Sequence, residues 1–98
     1  VIISGGENIY PAELEVLLSN NKDLVEYSIV GKHDVKWGEV PVIVAVKKNK
    51  TVTSDQILFL FNEKVAKYKI PKEVIFVNNI PKNALGKIEI DKLKQLVN

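Results

Sequence analysis

The sequence predicts an α+β domain: a small mixed β-sheet of about three main strands flanked by three helices, in the order β-α-β-β-α-β-α. Three observations carry that reading. Residues 40–46 are almost wholly apolar, as a strand buried on both faces of a sheet must be. Val25, Tyr27 and Ile29 alternate with polar neighbours, the period of a half-buried strand. Two helical windows carry start signals, Pro11 at a first helical position and Thr53 followed three residues on by Gln56 in the form of a capping box.

Taken in order, Val1-Ile2-Ile3 reads as a short strand that ends at Ser4-Gly5-Gly6-Glu7-Asn8. Because the chain opens inside this apolar run, it is expected to be a fragment of a longer polypeptide. Tyr10-Pro11 opens a helix over about residues 11–19, with Glu13 and Glu15 set against the positive end of its dipole and Leu14, Leu17 and Leu18 on one face. Asn20-Asn21-Lys22 ends it. A strand follows to about Val30. Gly31-Lys32-His33-Asp34 and Lys36-Trp37-Gly38-Glu39 then read as a polar loop with one large aromatic in it. Pro41 is tolerable near the start of the apolar strand, and residues 47–50 turn. The capped helix runs to about Val65 on Ile57, Leu60, Phe61 and Val65, until Tyr68-Lys69-Ile70-Pro71 breaks it. Residues 73–77 form a third main strand, 80–87 a loop and 91–97 a closing helix on Leu93, Leu96 and Val97.

Composition narrows the function classes. A chain of 98 residues, 46% hydrophobic, fits one domain and leaves no room for two. The lack of cysteine removes disulfides, thiol catalysis and zinc-thiolate sites together, and a lone histidine builds no metal cage. No apolar run approaches the length of a membrane span. Residues 1–40 carry three lysines against seven acidic residues, and residues 41–98 carry eleven against five. That asymmetry suits either a solvated face or a dock for a phosphorylated ligand. Every basic residue is lysine, which holds phosphate as a point charge but lacks the planar fork that reads guanine edges, so nucleic acid is not an expected partner.

Catalytic templates mostly fail. Gly86-Lys87 lacks the spacing and the following hydroxyl of a Walker loop, and His33 next to Asp34 builds no triad with Ser4. Asn49-Lys50-Thr51 matches a glycosylation sequon without the secretory context that would give it meaning. Two loops are better candidates. Ser4-Gly5-Gly6-Glu7-Asn8 is either a plain turn or a stretch of bare backbone against which a ligand chain can lie. Pro81-Lys82-Asn83-Ala84-Leu85-Gly86-Lys87 presents a lysine after a glycine, either solvated or reaching into a neighbouring cleft. Trp37 either caps the domain's own core or is an exposed contact surface.

These segments together resemble the C-terminal domain of the adenylate-forming acyl- and aryl-CoA synthetases. Residues 2–15 resemble its start. Val30-Gly31 with Trp37-Gly38-Glu39, then Ala66-Lys67-Tyr68-Lys69-Ile70-Pro71, then residues 80–87 match its later segments in family order across essentially the whole chain.

The resemblance implies that residues 1–98 are a single lid domain, with the family's hinge residue just upstream of Val1. It implies a cytoplasmic ligase that makes an acyl-adenylate from a carboxylic acid and ATP with Mg2+, releases pyrophosphate, and passes the acyl group to coenzyme A. ATP, metal and acid belong mainly to the enzyme's own N-terminal adenylation domain, so the isolated fragment is expected to be inactive. Lys87 matches the adenylation lysine and Gly86 the residue that lets its loop swing. Gly5 and Gly6 match the glycine loop bordering the pantetheine tunnel. Trp37 and Tyr68 match aromatic positions flanking the coenzyme A path, and Lys69, with Lys72, is a candidate for its phosphates. Ile70 stands where some relatives carry arginine, and Ile88-Glu89-Ile90-Asp91 where many have one. Gly-Gly-Glu-Asn before Tyr-Pro resembles the fatty-acyl and aryl ligases, with transfer to a carrier protein as the runner-up. A stand-alone module binding a phosphorylated ligand is the reading from another class.

Overall fold

The computed structural model describes residues Val1–Asn98. The chain starts with a hairpin of β1 (Ile2–Ser4) and β2 (Glu7–Ile9), paired antiparallel in register Ser4↔Glu7. The glycine-rich segment therefore does not merely end a strand. Gly5 and Gly6 have φ of 56° and 83°, the two left-handed residues of a two-residue turn whose twist matches its flanking strands.

Helix α1 (Pro11–Glu15) is shorter than its apolar pattern suggests and tightens into a 3-10 turn over Val16–Leu18. Leu14 and Leu18 are nevertheless fully buried. Strand β3 (Leu24–Asp34) absorbs Gly31-Lys32-His33-Asp34, expected to be loop. It pairs antiparallel with β4 (Gly38–Lys47) through Asp34↔Gly38, leaving only residues 35–37 as the connection. The polar composition of residues 31–34 hid this extension, because a two-stranded ladder needs backbone pairing and not an apolar face. The register slips between Leu24 and Glu26, and Val25 between them is exposed, as the extra residue of a bulge is.

The capping box before α2 (Ser54–Phe59) is complete. Thr53 Oγ1 accepts from Gln56 N at 3.2 Å and Gln56 Oε1 accepts from Thr53 N at 3.0 Å. The helix stops short of Val65. Leu60, Phe61 and Asn62 each donate to a carbonyl three residues back, and Glu63 takes φ 60°, which no right-handed helix admits. Lys67–Lys69 form a second 3-10 turn, β5 (Val74–Phe76) runs parallel to β4, and α3 (Ile90–Val97) closes the chain. In α3, Leu93 and Val97 are buried one turn apart, whereas Leu96 is half exposed.

The sheet has five strands rather than about three. β4 lies at its centre with β3 along one edge, and β1 and β5 share the other. Val40, Val42 and Val44 pack under α3 with Val30, Ile80, Leu93 and Val97. Ile43 and Ala45 face the opposite layer, built by Leu14, Leu18, Ile57 and Phe61 from the α1 and α2 side. The sequence reading of residues 40–46 as a doubly buried strand thus holds, and the α+β architecture with a mixed sheet and three helices is the one observed. No helix is long and apolar enough to cross a membrane.

Candidate functional site

Three turns meet at one end of the β3–β4 hairpin. Between β3 and β4, Asp34 Oδ1 accepts from both Lys36 N and Trp37 N at 2.8 Å, an Asx-type turn that fixes the backbone at Trp37. Gly38 at φ 85° completes it. The Trp37 carbonyl accepts from Gly5 N at 2.8 Å, so the β1–β2 turn is bonded directly to the tryptophan. The Cε3–Cζ3 edge of the indole comes so close to Gly5 that a Cβ there would be 2.8 Å from Trp37 Cε3. Opposite them, the 3-10 turn carries Lys67 and Tyr68.

The result is a cleft of about 330 Å³ lined by Ser4, Gly5, Glu7, Trp37, Lys67, Tyr68 and Lys72. Trp37 and Tyr68 are 45% and 38% exposed, enough to present ring faces to a ligand while remaining anchored. Lys36 Nζ sits 4.9 Å from the indole centroid, a cation–π contact. The cleft therefore joins two aromatic surfaces, bare glycine backbone and ammonium groups, a combination suited to a ligand with a heteroaromatic ring and phosphates.

The site residues named from sequence fall into three groups. Gly5, Trp37 and Tyr68 are brought together in this cleft, with Gly6 beside them in the turn. Lys69 does not line it: its Nζ bonds Glu13 Oε1 on α1 at 2.6 Å. That hydrogen bond, reinforced by the charge of Glu13, holds the ammonium above the ordinary lysine pKa. Lys72, the other lysine named from the resemblance, does line it, with its N tied to the Pro41 carbonyl at 2.9 Å, and Lys67 stands where Lys69 was expected. Sequence reasoning singled out Lys69 over Lys67, and only the tight 3-10 turn, which spaces side chains by a third of a rotation, separates the two.

Lys87 and Gly86 stand elsewhere. The segment after Ile80 makes a small hairpin through an antiparallel bridge between Lys82 and Ile88. Lys82 is ion-paired with Glu26 at the opposite end of β3, and Ile80 and Ile88 pack into the α3 side of the core. Gly86 takes φ 82°, a conformation glycine adopts without steric cost. Lys87 is exposed and enters no ion pair. A strand rises about 3.3 Å per residue, so the Glu26 and Asp34 ends of β3 lie on the order of 25 Å apart. The domain thus carries an aromatic-basic cleft at one end of its longest hairpin and an unpaired lysine at the other.

Comparison with known proteins agrees with this architecture. The family model described as the AMP-binding enzyme C-terminal domain matches residues 13–87. The chain is 48% identical to an indoleacetate–CoA ligase of Aromatoleum aromaticum over 98 residues, 99% of this chain and 19% of that enzyme. It is 46% identical to a 2-succinylbenzoate–CoA ligase of Bacillus cereus over 97 residues, 99% of this chain and 20% of the enzyme. Among solved structures, ATP-bound MatB from Rhodopseudomonas palustris superposes with a TM-score of 0.89 at 33% identity, covering 96% of this chain and 19% of MatB. The chain belongs to the AMP-binding enzyme C-terminal domain family, and it spans about a fifth of the length of the relatives it matches.

Proposed function

We propose that residues 1–98 are the mobile C-terminal lid of an ATP-dependent carboxylic acid–CoA ligase of the cytoplasm, working against its own N-terminal adenylation domain. The observation that carries the reading is the separation of the hairpin bearing Lys87, tied through Lys82 to Glu26, from the Trp37 cleft at the other end of the β3–β4 pair. A lid with two working ends serves two half-reactions by turning.

In the first half-reaction, a carboxylate oxygen of the acid attacks the α-phosphorus of ATP and pyrophosphate leaves. Lys87 bridges the carboxylate and the ribose-side oxygens and stabilises the charge that shifts in the transition state. Its freedom from any ion pair leaves all three N–H donors for that purpose. In the second half-reaction, the thiol sulfur of coenzyme A attacks the acyl carbon and AMP leaves. Gly5 and Gly6 border the path of the pantetheine arm, Trp37 and Tyr68 offer faces to it or to the adenine, and Lys67 and Lys72 meet phosphates. Lys69 holds the turn that carries Tyr68. Mg2+ in such a reaction neutralises the polyphosphate. Its ligands are expected mainly in the adenylation domain.

The acid is an aryl or fatty-acyl carboxylic acid. The names of the relatives, indoleacetate and 2-succinylbenzoate ligases, favour the aryl class. Full-length protein supplied with ATP, Mg2+, coenzyme A and a panel of aryl and fatty acids is expected to release pyrophosphate and AMP and form the acyl-CoA thioester. The 98-residue chain alone is expected to do neither step. Transfer to a carrier protein but not to coenzyme A, or adenylate formation by the isolated chain, would overturn the reading.

A further inference from the structure

We infer that Asn83 is a positioning residue for Lys87, fixing its backbone so that the lysine is presented ready-made and not searched for by a loose loop. The inference rests on the assignment of Lys87 to adenylate formation. Ala84, Leu85 and Gly86 are all exposed, Leu85 at 84%, so the tip of this hairpin owes its shape to something other than apolar packing. That something is a set of hydrogen bonds converging on one residue. Asn83 Oδ1 accepts from Leu85 N at 2.9 Å and from Lys87 N at 3.0 Å. Its backbone N donates to the Lys87 carbonyl at 2.8 Å, and its carbonyl accepts from Gly86 N at 2.9 Å. Both polar groups of the Lys87 main chain thus end on Asn83. Below this ring of bonds the Lys82↔Ile88 bridge and the Glu26–Lys82 ion pair join the hairpin to the sheet.

A carboxamide oxygen has two lone pairs and accepts two N–H groups at once, which is the device of an Asx turn. With it, closing the lid onto ATP orders only the lysine side chain. Without it, the main chain of residues 83–87 must also be ordered, an entropic cost that falls on the adenylation step alone. Small misplacements of a catalytic group cost up to about 10²-fold in rate.

The test uses the full-length enzyme carrying Asn83→Ala, Asn83→Asp or Lys87→Ala, with the adenylation half-reaction and thioester formation from pre-made adenylate measured separately. Asn83→Ala is expected to lower the adenylation kcat by about 10- to 100-fold, with KM for ATP within about twofold and thioester formation retained. Asn83→Asp, which keeps the acceptor, is expected to recover most of the loss. Wild-type adenylation by Asn83→Ala, beside a Lys87→Ala enzyme that has lost the step, would overturn the role of Asn83 and leave that of Lys87 standing. Normal adenylation by both variants would overturn the assignment of Lys87 itself. An Asp variant as slow as the Ala variant, or an Ala variant that loses both half-reactions together with a lowered melting midpoint, would show a merely structural residue and overturn the inference.

Discussion

Gly5 and Trp37 are joined twice: the Gly5 N–H donates to the Trp37 carbonyl at 2.8 Å, and the indole covers the face of Gly5 where a side chain would project. One residue comes from the first hairpin and the other from the turn of the second, so this contact closes the wall of the cleft. Gly5→Ala must place its Cβ about 2.8 Å from Trp37 Cε3 while holding φ at 56°. Strain of this kind costs on the order of 1–3 kcal/mol. The variant is expected to melt lower and to need more coenzyme A for half-maximal thioester formation, with adenylation near normal. An unchanged KM for coenzyme A would show that the wall is not part of its path.

Gly6 makes an instructive contrast. It shares the left-handed conformation, with φ 83°, but has open space where a Cβ would go. Gly6→Asn, a residue that tolerates this region, is expected to keep both half-reactions, whereas Gly5→Asn is expected to impair thioester formation. Equal loss in the two variants would make backbone conformation, and not the tryptophan contact, the controlling factor.

Trp37→Ala removes an aromatic face from the cleft without touching the Lys87 hairpin. The expected result is a rise in KM for coenzyme A of about tenfold, the scale of one lost aromatic contact, and an adenylation rate within about twofold of wild type. Steady-state kinetics with coenzyme A varied, beside pyrophosphate release without it, separates the two.

Lys69 carries a pH prediction. Its pKa is raised above 10.5 by the hydrogen bond to Glu13, with burial opposing and the Glu13 charge assisting. A raised lysine pKa stabilises the fold fully below the unfolded value and loses that contribution as pH climbs through the folded one. The difference in melting midpoint between wild type and Lys69→Ala is therefore expected to be constant from neutral pH to about pH 9 and to shrink only beyond 10.5. A difference that fades already between pH 7 and 9 would mean that the Glu13 pair does not form.

Thr53→Ala removes the Oγ1 acceptor of the capping box and leaves the backbone N–H of residue 53 to donate to Gln56 Oε1. Loss of such a cap costs about 1 kcal/mol, which for a domain of this size lowers the melting midpoint by about 4–8 °C. Thr53→Ser should stay close to wild type, and a drop in Ser equal to that in Ala would point to lost methyl packing in place of lost capping.

Much of this architecture was legible because local chemistry and burial agree. The run at residues 40–46 had to be doubly buried, and Thr53 with Gln56 could only cap a helix. The hairpin of residues 2–9 was missed because its turn glycines read equally well as an open loop, and its pairing depends on partners that periodicity does not report. Residues 31–34 were read as loop because polar side chains give no sign of backbone pairing. Lys72 was among the lysines the resemblance singled out, but the exchange of Lys69 for Lys67 in the cleft was beyond sequence reasoning, since it depends on Glu13, distant in the chain, claiming one lysine of a cluster. Asn83 sat inside a recognised motif, yet its hydrogen bonds appear only once the turn is folded.

The central claim is that the two ends of the β3–β4 hairpin serve two different half-reactions. It is tested most directly by Lys87→Ala in the full-length protein, with adenylate formation and thioester formation from pre-made adenylate measured side by side. The account predicts a loss of about 10²–10³-fold in the first and retention of the second. Survival of both steps, or equal loss of both, would contradict it.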